Sequence, residues 1–418
     1  MKHANVKTPA SNKTIKVTLK VLTPVHVGDG TTITNWDYGI EGDTLKVYSL
    51  DQILKEAEQK LQPKSLEEFA KKLKAEISNH PLDKCLGEFQ LLKAYGLDNP
   101  LYEIPLRIKW PLKQKRVDRR TNIQREEYKP IFSYIKSLGK PYIPGTELKG
   151  AFRTAFAYFL LNTNSHLQNW LIKEINTALR AEDKRRIKQE LSKLGKKLEQ
   201  ILFEAHDARG SNPDAKKDGL KTVYFTDSDL KEPSETLEVR QLFLLNTRRR
   251  FPLYAETLKV GTQFRTIVGF SPEKFSALVE YWKVENPSVD ILKLLEKEGF
   301  KTGFKAILKR FYTDLLQEEE KYFSNPIRNY PEPLRRKTLD TIKQLQREIQ
   351  QGKVLIRIGR FTGFLSHTVG LFLKRKYPDL YSEIYPYLVP RGYDWQPNKT
   401  RWVDGEGNPL GWIELKFN

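Results

Sequence analysis

Lys140-Pro-Tyr-Ile-Pro-Gly-Thr-Glu-Leu-Lys-Gly150, running on into Ala151-Phe-Arg-Thr-Ala-Phe-Ala-Tyr-Phe-Leu-Leu161, joins a turn marked by proline and glycine to an apolar run. Leu148, Phe152, Ala155, Phe156 and Phe159 recur at helical spacing and define one buried face. Thr146 stands where a helix N-cap is expected. Lys149 and Arg153 flank the apolar stripe rather than lying in it, so their charges stay available. Gly150 would let a backbone approach closely. The first turn of a helix has free N–H groups and partial positive charge, which favour a phosphate. A solvated helix start with an ordinary turn is the plainer reading of the same residues. Glu147 would repel a phosphate unless it points away.

Towards the N-terminus, Thr14 to Leu22 alternates Ile15, Val17, Leu19 and Val21 with polar residues, the period of a half-buried strand. It runs into Thr23-Pro24 and a tight loop, Val25-His26-Val27-Gly28-Asp29-Gly30. Trp36–Ile40 and Thr44–Tyr48 read as a strand pair, and 51–78 as helix. The segment 107–129 carries nine basic and three acidic residues with a sparse apolar pattern, which predicts an exposed hairpin or arm. Residues 167–205 read as a charged helical hairpin, and 207–221 as a flexible loop. Towards the C-terminus, the pattern gives a strand near 262–270 and helices near 273–282, 288–297, 303–321 and 335–350. A strand at 353–358 then leads into Gly359-Arg-Phe-Thr-Gly363 and an apolar helix, and 401–417 reads as a closing hairpin. At 418 residues, two domains are the starting expectation, with the boundary near 225/226.

Lys and Arg number 72 against 52 Asp and Glu, a net charge of +20. An excess of that size predicts a polyanion partner, because neutralising phosphates releases condensed counterions. A basic protein without such a partner is the bland alternative. Cys85 is the single cysteine, so there is no intrachain disulfide and no paired-cysteine zinc site. No apolar run reaches the roughly 18 residues of a membrane span, and the N-terminus lacks the apolar stretch of a secretion signal. The expectation is a cytoplasmic protein that needs no metal or other cofactor.

Four groups of residues could touch RNA. The first is Lys149, Gly150 and Arg153. The second is Arg357, Gly359, Arg360 and Gly363, where glycines lower the steric wall, arginines reach phosphates, and Phe361 or Phe364 could stack on a base. Phe364 reads equally as a core residue. This segment lacks the spacing of a nucleotide-binding P-loop. The third is the run Arg248-Arg249-Arg250, and the fourth is His26 in its glycine-flanked loop. A general acid or base could stand at His26 with Asp29 and Asp37 nearby, but no second histidine lies within sequence reach.

The stretches Leu22-Thr-Pro-Val-His-Val-Gly28 and Tyr142-Ile-Pro-Gly-Thr-Glu-Leu-Lys-Gly-Ala-Phe-Arg153 resemble the RAMP superfamily of CRISPR-associated proteins. Arg357 to Thr368, Tyr254 to Phe264 and the ending from Thr400 to Trp412 are similar to the head subunits of type III-A (Csm) effector complexes. The resemblance implies an α+β protein of two ferredoxin-like (RRM-like) RAMP domains with helical insertions. These are residues 1–225, with a basic arm at 107–129 and an insertion at 167–221, and residues 226–418. It also implies a non-catalytic subunit that caps the 3′ part of a crRNA, abuts sibling RAMP subunits of the Csm complex, and supports crRNA maturation by recruiting cellular nucleases. Backbone subunits of such complexes cut target RNA with a loop aspartate. Asp29 and Asp37 are the nearest counterparts, but the surrounding loop departs from that pattern, so no catalytic residue is assigned. The rival reading is an endoribonuclease acting on crRNA precursor or target RNA.

Overall fold

The strand Lys13–Val21 buries Val17, Leu19 and Val21 on one face, as its alternation requires. It lies in the middle of an antiparallel five-stranded sheet ordered Val223–Phe225, Gln263–Phe270, Lys13–Val21, Trp412–Phe417, Val354–Arg357. These positions come from a computed structural model that describes residues 13–117, 124–204, 218–245, 252–281, 287–327, 329–388 and 401–418. The second sheet is mixed. Its order is Gly28–Ile33, Ile131–Tyr134, Leu253–Leu258, Leu237–Leu244, Tyr102–Arg107, Thr44–Val47, Tyr38–Glu41, and Trp402–Asp404 also pairs with Leu237–Leu244. The architecture is α+β, with helices packed on curled sheets.

The helix Gly145–Thr163 forms as its spacing predicts, burying Leu148, Phe152, Ala155 and Phe156 and half-burying Phe159. It packs on the helix Phe300–Ser324, with Phe152 and Phe304 stacked at 4.6 Å and Tyr158 edge-on to Phe311 at 5.2 Å. Phe304 in turn meets Phe417 of the first sheet. Ser165–Leu179 and Lys184–Phe203 form the expected helical hairpin against this layer. The basic arm is a hairpin of Lys113–Val117 and Gln124–Tyr128, anchored where Gln114 Nε2 donates to the Tyr254 hydroxyl at 2.7 Å. Its tip, 118–123, and the loop 205–217 lie outside the described residues.

Several expectations need correction. Thr146 is exposed within the first turn and does not cap the helix. Pro144 occupies the N-cap, and the Gly145 amide is satisfied instead by the Asp227 carboxylate at 2.7 Å. Helix 51–78 is two helices, Leu50–Lys60 and Pro63–Asn79, because Pro63 starts the second. The C-terminal segment is not a hairpin: Trp402–Asp404 joins the second sheet and Trp412–Phe417 the first. Both sheets draw strands from each half of the chain, so position 225/226 does not separate one sheet from the other.

Beneath the first sheet lies a buried ionic cluster. Arg401 Nε donates to Glu319 Oε1 at 2.7 Å, and Arg357 Nη1 lies 3.4 Å from Glu319 Oε2. Arg357 Nε also donates to the Leu410 carbonyl at 2.8 Å. All three charged side chains are at most 4% exposed. Burial alone would raise the Glu319 carboxyl, but Arg401 and Arg357 more than offset it, leaving the group below the usual carboxylate range. Glu319→Ala should cost about 3–5 kcal/mol in urea unfolding, since it removes the carboxylate that two buried guanidiniums share. The stability supplied by Glu319 is present above the ordinary carboxylate pKa and lost as pH falls through its depressed folded value. The gap between wild type and Glu319→Gln should therefore narrow on acidification. A gap that is constant down to strongly acidic pH would contradict this account.

Candidate nucleic-acid interface

Three loops meet at one place. The Arg360 amide donates to the His26 carbonyl at 2.8 Å, and the Gly359 amide donates to Glu147 Oε2 at 3.1 Å. Gly359 has φ +84°, and a Cβ there would stand 2.4 Å from the His26 carbonyl oxygen, so the crossing requires glycine. The crossing continues below: the Ile358 amide donates to the Gly411 carbonyl, and the Gly411 amide to the Pro24 carbonyl. Gly145 is fixed the same way, since a Cβ there would lie 2.4 Å from the Phe225 carbonyl oxygen. Glu147 therefore does not point away: it lines the cleft above, and its carboxylate ties the helix start to the glycine loop.

Above this junction is a cleft of about 730 Å³. Val27, Gly28 and Gly30 form one wall, Gly150, Arg153 and Thr154 a second, and Gly359, Arg360 and His367 a third. Arg360 is exposed, and its guanidinium lies 4.6 Å from the Phe132 ring centre and 5.1 Å from that of Phe361. Among the described residues no carboxylate pairs with it. An arginine braced on aromatic faces and open to solvent is preorganised for phosphate.

The other sequence candidates fare differently. Arg153 lines the cleft but is held by Asp218 at 2.8 Å, by Glu199 at 3.8 Å, and 4.0 Å over the Phe203 ring. Lys149 is half-buried, donates to the Val223 carbonyl at 3.2 Å, and has its ammonium pulled below the usual lysine value by burial. The two charges expected to stay available are therefore both engaged. Gly150 is exposed on the cleft with open space over its Cα, as a close backbone approach requires. Arg357 is corrected outright: at 2% exposure and paired with Glu319, it is a core ion. Phe361 is buried at φ +69° against Trp402 and His26 rather than free to stack, and Phe364 is half-buried. Gly363, at φ +91°, caps the short helix Phe364–His367. Arg248, Arg249 and Arg250 lie outside the described residues.

His26 is 1% exposed. Its Nδ1–H donates to the Glu256 carbonyl at 2.7 Å, leaving Nε2 as a buried acceptor beneath Gly28. Burial outweighs the help of that hydrogen bond and lowers its pKa to about 4. Near neutral pH it is an uncharged packing residue, neither a phosphate contact nor a ready proton donor. Asp29 accepts from the Thr31 amide and hydroxyl, and Asp37 from those of Thr34, so each closes its own turn. Among the described residues no group of three or more His, Cys, Asp or Glu could hold a metal. His367 bonds to the Thr362 hydroxyl and is lowered by burial, while Ser366 Oγ donates to the Thr362 carbonyl at 2.6 Å, so the two do not address each other.

Two contributors carry no motif. Phe132, in the strand Ile131–Tyr134, supplies the ring under Arg360. The helix Lys184–Phe203, part of the segment read from sequence as a charged helical hairpin, lines the cleft with Gly195, Leu198, Glu199, Leu202 and Phe203. A glycine inside an otherwise regular helix was the one available signal for that contact.

The RAMP superfamily pattern matches residues 18–366. The CRISPR system Cms protein Csm5 of Mycobacterium tuberculosis, in strains CDC 1551 / Oshkosh and H37Rv, is 27% identical over 272 residues, covering 62% of this chain and 68% of its own. A chain in the cryo-EM structure of a Csm–crRNA–target RNA ternary complex of a type III-A CRISPR–Cas system shares the fold, with a TM-score of 0.70 and 21% identity over 97% of this chain and 100% of that one. Crystalline T. onnurineus Csm5 does so with a TM-score of 0.65 and 20% identity, covering 95% and 99%. Both motif loops that meet at the cleft lie within the matched span, and the chain belongs to the RAMP superfamily.

Proposed function

We propose that this chain is a non-catalytic, crRNA-binding subunit of a type III-A CRISPR interference complex. It caps the 3′ part of the guide RNA and supports crRNA maturation in antiviral defence. Its partners are crRNA, sibling RAMP subunits of the Csm complex, and cellular nucleases that trim crRNA. The observation that carries the reading is the cleft itself. Gly28, Gly30 and Gly150 expose backbone on its walls, and Arg360 stands there braced and without an acidic partner among the described residues. The net charge of +20, the Csm5 relatives and the fold shared with a chain of a Csm–crRNA–target RNA complex support it. No helix among the described residues is long and apolar enough to cross a membrane.

The purified protein should bind single-stranded RNA with affinity that falls steeply as salt rises. Arg360→Ala should weaken binding and flatten the salt slope by roughly 0.7. Arg357→Ala should instead lower the unfolding midpoint, because it breaks a buried pair. Titrations of both variants over a salt series, beside urea melts, separate the two roles. Unchanged affinity and slope for a folded Arg360→Ala protein would remove the cleft from the reading.

The protein alone should leave crRNA precursor and target RNA uncut, with or without magnesium or manganese. A buried neutral His26 and two turn-closing aspartates make no acid–base pair. Incubation with labelled RNA, alongside His26→Ala, Asp29→Ala and Asp37→Ala, checks this. Cleavage that co-elutes with wild type and vanishes in one variant would establish the endoribonuclease instead.

A further inference from the structure

The helix Lys184–Phe203 holds seven cations: Lys184, Arg185, Arg186, Lys188, Lys193, Lys196 and Lys197. At 3.6 residues per turn they sort into two arcs. Arg186, Lys193 and Lys197 fall within about 40° of one another. Each has an acidic partner: Glu182 at 3.1 Å, Glu190 at 2.7 Å and Glu174 at 3.3 Å. Lys184, Arg185, Lys188 and Lys196 fall within a different arc of about 120°. All four are exposed, and among the described residues none of their side chains makes an ion pair. That second arc is also the one containing Gly195 and Glu199, which line the cleft. The cations turned towards the cleft side are thus the ones left open.

Helix stability does not account for this placement. The N-terminal end of a helix is the positive end of its dipole, so Lys184, Arg185 and Lys188 in the opening turns oppose it. Asp183 caps the helix through the Arg185 and Arg186 amides and relieves part of that opposition. Gly195, with nothing within 4 Å of its would-be Cβ, leaves the helix surface bare where it enters the cleft. From Lys184 to Lys196 the open arc runs about 18 Å, room for a few phosphates. Glu199 is the one acid on this arc, and it sits beside Arg153.

We propose that this arc is a track for single-stranded RNA leaving the cleft, gripping successive phosphates without regard to base. The inference rests on the cleft being the RNA site, and it adds where the strand goes next and which part of the helical insertion holds it. Affinity should therefore depend on RNA length. Strands confined to the cleft gain nothing from the arc, and longer strands gain several contacts.

The test uses the full chain and oligouridylates of ~6 and ~16 nucleotides. The first variant is Lys184→Gln/Lys188→Gln/Lys196→Gln. A charge-matched control, Arg186→Gln/Lys193→Gln/Lys197→Gln, removes the same charge from the paired arc. We expect the first variant to bind the long strand about tenfold or more weakly, with a salt slope shallower by roughly two, and the short strand unchanged. The control should bind both lengths as wild type does. The first variant should also unfold no earlier than wild type, since two of the three cations it sheds oppose the dipole and none is in an ion pair among the described residues. Equal losses in both variants would reduce the effect to net charge and overturn the track. So would an unchanged long-strand affinity while Arg360→Ala still weakens both lengths, an outcome that leaves the cleft reading standing. If wild type holds neither strand, the cleft reading and the track fail together.

Discussion

Everything at the cleft depends on one backbone crossing, where Gly359 passes over the His26 carbonyl with no side chain between them. That contact lets the Arg360 amide reach the same carbonyl and the Gly359 amide reach Glu147. Two hydrogen bonds and a close approach thereby lock together loops from the start, middle and end of the chain. Any residue larger than glycine would have to displace a backbone oxygen rather than a flexible side chain. The RAMP motifs make physical sense in these terms. Their glycines fix how closely segments approach, Glu147 holds the junction, and Lys149 and Arg153 are engaged elsewhere in the fold.

Charge in this protein is divided between interior and surface. Glu319, Glu256 and Asp404 are almost fully buried, and each is surrounded by donors. Glu256 receives the Tyr102 hydroxyl, the Tyr134 amide and the Lys136 ammonium, while Asp404 meets Arg240 at 2.5 Å. Such sites consume arginines that a sequence reading would place on a ligand. Arg357 is the clearest instance, because Gly359 and Arg360, its near neighbours in sequence, line the cleft. The cations open to solvent are a subset, set by which helical arc or loop edge lacks an acid.

The strands and the long helices were legible because period-two alternation and the apolar stripe of 145–163 respond to local geometry. The glycine loops were legible as motifs, but their convergence was not, since it is a contact between residues far apart in sequence. Burial of His26 and Arg357 was illegible for the same cause. Both sit beside glycines, which look exposed in sequence, and both are covered by strands from elsewhere. The C-terminal segment misled in a related way. Its turn residues fit a hairpin, yet Trp402–Asp404 and Trp412–Phe417 answer to two different sheets. The segment holding the helix Lys184–Phe203 read only as a charged helical hairpin, because a charge run carries no sign of what its faces meet.

The position of Lys13–Val21 bears on how the chain is made. This early strand is sandwiched between Gln263–Phe270 and Trp412–Phe417, and the Trp412 amide bonds to the Thr23 hydroxyl across 389 residues. On the ribosome, this central strand therefore waits with both hydrogen-bonding edges open until Gln263–Phe270 has emerged, and with one still open until Trp412–Phe417 follows. Loop closure over such distances is slow, and an unpaired apolar strand is an invitation to aggregate. Lys16 and Lys20, spaced along that strand, are charges of the kind that discourage pairing with the wrong edge during the wait.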